Sequence, residues 1–132
     1  MEPELDIPEE KIMVKADRIQ MLRAINNLLT NTIRHNPEGT AVTVIVKKDN
    51  RNAVLQISDM GVRIERDVAI HLFEPFVQAD KSRTSGKGSG LGLSISAKTV
   101  EMHGGKIRLI QYNNVEKSGR VKCFEIVLPV IL

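Results

Sequence analysis

The sequence predicts an α+β fold, a two-layer sandwich in which a mixed sheet of about five strands carries three helices on one face. Three observations predict it. Two β-branched segments lie close enough in the chain to form a hairpin, helix-period segments flank them on both sides, and 132 residues with 42% hydrophobic content hold one core without disulfides or a structural metal.

Taken in order, residues 1–10 carry five acids and no base, so residues 1–11 read as an acidic segment or linker ahead of a single domain over 12–132. Residues 12–16 (IMVKA) predict a short strand. Asp17 is an N-cap residue type ahead of a long periodic segment, which predicts a helix to about His35. Asn36-Pro37-Glu38-Gly39 is a turn by its residue types, and residues 40–46 and 52–58 then pair as a hairpin across 48–51. Residues 65–73 predict a short helix and 91–103 a longer one stopped by Gly104-Gly105, while 106–111 and 121–128 close the sheet.

Composition narrows the function. The single cysteine, Cys123, excludes a disulfide framework and a cysteine-based zinc site, which suits a reducing, cytoplasmic compartment. No apolar run approaches the ~20 residues that cross a bilayer, so no membrane contact is expected. Beyond the acidic start the chain carries 19 basic residues against 11 acidic ones, a surplus that favours anions. Phe73, Phe76, Tyr112 and Phe124 are the whole aromatic set, too few for the stacking surfaces of single-stranded nucleic-acid binders. A small anionic ligand fits better than nucleic acid.

Three segments carry candidate chemistry. On the first long helix, Leu22, Ile25, Leu29 and Ile33 fall on one arc, with Asn27, Asn31, Arg34 and His35 on the opposite side. A solvated back face is the plain reading, yet two asparagines one turn apart are poor helix formers that gain nothing on a wet surface. Asn offers an oxygen to a metal and an N–H to a phosphate. Next, Asp59 ends a strand with Gly61 two residues on, an ordinary turn that also suits a carboxylate accepting from an exocyclic amine. Last, Gly86-Lys87-Gly88-Ser89-Gly90-Leu91-Gly92-Leu93 opens directly into a helical pattern, and backbone N–H groups at a helix start bind anions. It lacks the Gly-Lys-Ser/Thr of a Walker A loop and the βαβ setting of a Rossmann turn.

In this order, with Leu72-Phe73-Glu74-Pro75-Phe76 between the second and third, these segments resemble the catalytic ATP-binding domain of sensor histidine kinases, in the GHKL superfamily shared with Hsp90, gyrase B and MutL. The resemblance runs from about Ile12 to Pro129 and implies the Bergerat ATP-binding fold. It implies that Asp59 holds the adenine amine, that Gly61 and Ile64 belong to the first glycine box, and that Phe76 belongs to the F box. Asn31 becomes the Mg²⁺ ligand, and Asn27, Arg34 and His35 line the phosphates. Gly88, Ser89, Gly90, Leu91, Gly92 and Leu93 form the second glycine box, with residues 77–87 as a mobile lid from which Lys81 or Arg83 reaches the γ-phosphate of ATP. Asn27 and Arg83 are then the catalytic candidates.

Two departures fall on the adenine side. Arg63 stands where the family pattern has a second glycine, and Val121-Lys122-Cys123-Phe124 stands where it has Gly-Ser/Thr-x-Phe. A glycine-like φ at Arg63 would store about 1–2 kcal/mol, in which case Arg63→Gly raises both stability and ATP affinity, whereas a guanidinium that reaches a phosphate or a partner carboxylate makes the same substitution weaken binding. The phosphoacceptor histidine of the family sits on a separate dimerisation domain, usually before an acidic residue. His35, His71 and His103 precede Asn, Leu and Gly, so none serves. The expected partners are that histidine-bearing domain and a downstream response regulator. An ATPase clamp of the Hsp90 or MutL kind would carry Glu at position 27, and a nucleotide-binding module without transfer activity is the other alternative.

Overall fold

In the computed structural model, residues 4–75 and 92–131 are described. The elements run β1 (Glu4–Asp6), α1 (Arg18–His35), β2 (Val42–Asp49), β3 (Asn52–Asp59), α2 (Arg66–Ala69), α3 (Gly92–Met102), β4 (Lys106–Gln111), α4 (Val115–Ser118) and β5 (Lys122–Pro129). The five strands form one sheet in the order β1-β2-β3-β5-β4. β1 runs parallel to β2 and the remaining pairs are antiparallel, so the sheet is mixed.

Local chemistry sets the boundaries. Asp17 caps α1 by accepting a hydrogen bond from the Gln20 N–H at 3.0 Å. The helix stops at Asn36, whose ψ of 154° is the extended backbone that the following Pro37 imposes. Asn50, with φ 56°, turns the β2–β3 hairpin, a left-handed conformation that asparagine tolerates. α3 ends at Gly104 with φ 78°.

The core lies between the helices and one face of the sheet. Leu28 of α1, Val100 of α3 and Leu72 after α2 meet Ile57, Phe124 and Ile126 of the central strands, all at 2% exposure or less. Phe73 meets Phe124 edge-on with ring centroids 6.2 Å apart. Small residues let α1 and α3 approach, and the buried Ser96 hydroxyl donates to the Ala24 carbonyl at 3.0 Å. At the other end the imidazole of His103 accepts from the Asp17 N–H at 3.0 Å, and its Nδ1–H donates to the Thr99 carbonyl at 2.7 Å.

The opposite face of the sheet carries a polar network. Gln56 and Arg108 donate to the two oxygens of Glu125, each at 2.7 Å, and Arg120 donates to Gln56 at 3.1 Å. Burial alone would raise the Glu125 carboxyl, but the hydrogen bonds from Gln56 and Arg108 and the Arg108 charge together hold it below the ordinary value of 4.5.

Several elements differ from the sequence expectation. Residues 12–16 contribute one bridge, Val14 to Val130, and the fifth strand is instead β1, inside the segment read as acidic linker. An edge strand held by backbone pairing needs no apolar pattern, and Glu4, Leu5 and Asp6 are all exposed. The single turn α4 was also unexpected. Its Asn114 cap, accepting from the Lys117 N–H at 3.0 Å, and Gly119 at φ 72° were the available signals.

Candidate functional site

Strand register builds the centre of the site. Asp59, the last residue of β3, stands directly opposite Lys122, the first of β5. Alternation along the strands puts both on the helix-bearing side with Ile57 and Phe124. The Lys122 ammonium donates to Asn36 Oδ1 at 2.9 Å, to Asp59 Oδ1 at 3.0 Å and to the Val62 carbonyl. Neither the Asp59 nor the Lys122 side chain has exposed surface. Desolvation pushes the Lys122 pKa down, while the Asp59 charge and hydrogen bond oppose that shift. Asp59 Oδ1 also accepts from the Gly61 N–H at 2.9 Å, whereas its buried Oδ2 meets no donor among the described residues.

Asn36 ties this pair to α1. Its amide donates to the Thr32 carbonyl at 2.8 Å, and its Oδ1 accepts from the Val62 N–H at 3.0 Å as well as from Lys122. The fit leaves no room for a side chain at position 61, because a Cβ there would lie 1.9 Å from Asn36 Oδ1. The far side of the turn is anchored to β4. The Gln111 side chain accepts from Ile64 N–H at 2.8 Å and donates to the Ile64 carbonyl at 3.0 Å, and Arg63 reaches the Tyr112 carbonyl at 2.7 Å.

α1 presents its asparagines differently from the expectation. The buried stripe is Met21, Ala24, Leu28 and Thr32, while Leu22 and Ile33, expected in the core, are 50% and 39% exposed. This rotation puts Ala24 against α3, where the Ser96 hydroxyl reaches its carbonyl and a larger side chain would hold the two helices apart. Asn27, Asn31 and His35 therefore sit half-buried on the flank of the core stripe, with Arg34 exposed beyond them.

Comparison with known proteins identifies the family. Residues 16–131 match the family model described as histidine kinase-, DNA gyrase B- and HSP90-like ATPase. The chain belongs to this family. The sensor protein GtcS of Aneurinibacillus migulanus is 40% identical over 90 residues, covering 68% of this chain and 24% of that protein. The sensor histidine kinase TrcS of Mycobacterium tuberculosis is 33% identical over 131 residues, covering 96% of this chain and 25% of that protein. The chain thus spans about a quarter of the length of these curated relatives. Among solved structures, the mycobacterial sensor histidine kinase MprB aligns with a TM-score of 0.79 at 31% identity, covering 96% of this chain and 83% of that one.

Within this kinase ATPase fold, the structure brings Asp59 and Gly61 together with Asn36 at the C-terminal end of α1. Ile64 is buried in the core beside the turn, Leu93 is buried in the first turn of α3, and Gly92 opens that helix. Phe76, Lys81, Arg83, Gly88, Ser89, Gly90 and Leu91 lie outside the described residues, as do the expected lid and most of the second glycine box. Arg63 corrects the expectation of strain. Asn50 is the one non-glycine residue with positive φ among the described residues, so position 63 asks for no glycine conformation. Asn36 and Gln111 were missed because they read as a turn former and a strand polar residue, and their partners lie 26 and 47 positions away.

Proposed function

We propose that the domain binds ATP with Mg²⁺ and donates the γ-phosphate to a histidine on a separate dimerisation domain of a two-component sensor kinase, with a response regulator downstream. The observation that carries this reading is Asp59, a buried carboxylate at a strand end whose Oδ2 lacks a donor. A buried acceptor without a donor is costly, and an adenine amine supplies the missing hydrogen. Guanine presents a carbonyl there, so GTP competes poorly.

The neighbouring residues fit the rest of the nucleotide. Asn31 can give a neutral oxygen to Mg²⁺, an ion that takes few protein ligands alongside phosphate oxygens. Asn27, Arg34 and His35 follow on the same flank of α1 to meet the phosphates, joined by Lys81 or Arg83 and by the glycines at 88, 90 and 92. When bound, the nucleotide supplies the phosphoryl group and the metal neutralises its charge. The side chains orient both and exclude water. Asn27 is a poor base for activating water, which supports phosphotransfer over hydrolysis. The matched relatives GtcS and TrcS carry sensor names and extend well beyond this chain, which supports a histidine-bearing domain elsewhere in the parent protein. No helix among the described residues is long and apolar enough to cross a membrane, and we place this domain on the cytoplasmic side.

Calorimetric titration with a non-hydrolysable ATP analogue, with and without Mg²⁺, tests the reading. Asp59→Asn is expected to weaken binding at least tenfold, about 1.4 kcal/mol, because the amide can turn a donor towards the adenine amine. Unchanged affinity in the folded variant overturns the adenine assignment. Asn31→Ala is expected to abolish the Mg²⁺ dependence, and full retention of that dependence moves the metal ligand elsewhere.

A further inference from the structure

We infer that Lys122 is a built-in plug of the base pocket: its ammonium grips Asp59 Oδ1 and closes off the carboxylate that a nucleobase amine would use, so a nucleotide reaches Asp59 only when this side chain withdraws. The inference rests on the proposed ATP reading. The ammonium has three protons, and it has three acceptors, in Asn36, Asp59 and Val62. These come from the end of α1, the end of β3 and the turn after it, so one side chain closes the corner where the three segments meet. The closure is complete, since both Lys122 and Asp59 have 0% side-chain exposure. No base can touch the carboxylate in that arrangement.

The plug is also releasable. Burial disfavours the ammonium, so its hold on Asp59 is opposed by the cost of keeping it from water. Withdrawal would leave Asp59 with the Gly61 N–H on Oδ1 and open acceptor positions on both oxygens. A site that is competent only in its open fraction binds with an affinity reduced by that fraction, so a plug seated nine-tenths of the time weakens binding about tenfold. Lys122 thereby sets how much ATP the domain needs, a threshold that a short side chain at the same position would not impose.

Titration of the non-hydrolysable ATP analogue with Mg²⁺ into the wild-type domain and Lys122→Thr tests the plug. The shortened variant is expected to bind at least tenfold more tightly. Equal affinity in the two overturns the plug and leaves the ATP reading standing. Weaker binding by the variant also overturns the plug, making Lys122 a ligand instead. If neither protein binds the analogue, the plug and the ATP reading fall together. A second measurement needs no substitution: the Lys122 Nζ protons, sheltered and hydrogen-bonded, are expected to give a slowly exchanging signal in ¹H–¹⁵N spectra of the free wild-type domain that disappears at saturating analogue. Persistence of that signal in the saturated complex overturns the plug, even if Lys122→Thr fails to fold.

Discussion

The Asn36 side chain fills the space that a Cβ at position 61 would need, 1.9 Å from its oxygen. Gly61→Ala must therefore drive Asn36 off the Val62 N–H and off Lys122, and is expected to cost about 1–3 kcal/mol in urea unfolding. Arg63→Gly should behave in the opposite manner. Its φ is not positive and its guanidinium makes one exposed bond, to the Tyr112 carbonyl, so the change in stability is expected within about 0.5 kcal/mol. A rise in melting temperature of several degrees would restore the strain expected from the sequence. Asp59 and Gly61 were legible as candidates because a strand-end carboxylate followed by glycine is a local signal. The grip of Lys122 was not, since Asn36 and Asp59 lie 86 and 63 positions away and only strand register brings them together.

Helices were easier to read than their faces. The span of α1 followed from Asp17 and Pro37, two punctuation residues whose effects are local. Its rotation did not, because apolar size favours Leu22 and Ile33 on the inside whereas close contact with α3 favours Ala24, whose carbonyl accepts from Ser96. On β5 the element-scale consequence is acid sensitivity. Glu125 is held below its ordinary 4.5, so the unfolded chain binds more protons between the folded value and 4.5. The stabilisation is present above that window and is lost as pH falls through it. Glu125→Gln is expected to flatten the decline of urea stability below pH 4.5, and an unchanged slope would assign it to other carboxylates. Between α1 and α3, His103→Ala removes the acceptor for the Asp17 N–H and is expected to cost about 1 kcal/mol, read from thermal melts.

At the scale of the whole molecule, the order of strands is what the sequence hid. The hairpin β2–β3 and the closing strands β4 and β5 were legible from β-branched runs and turn residues. Residues 12–16 were read as a strand, with no place in the sheet given, whereas the strand beside β2 is Glu4–Asp6, paired through its backbone. That places a short charged strand over the flank of β2, whose Val44 would otherwise border an open edge. Deleting residues 1–7 is expected to leave the fold intact and to promote self-association, seen as a concentration-dependent sedimentation coefficient. A strictly monomeric truncation would show that β1 protects nothing.

One atom can report on all of this. The chain has a single sulfhydryl, on Cys123, wholly buried in β5 next to Lys122, and burial pushes its pKa up. A protonated, enclosed thiol is a poor nucleophile, so an alkylating reagent waits for the sheet to part at that place. With fast reclosing, the rate of modification divided by that of an unstructured thiol gives the fraction of time the strand lies open. The molecule thus holds its own counter of excursions from the native state, one adduct per opening that is caught, readable by intact mass.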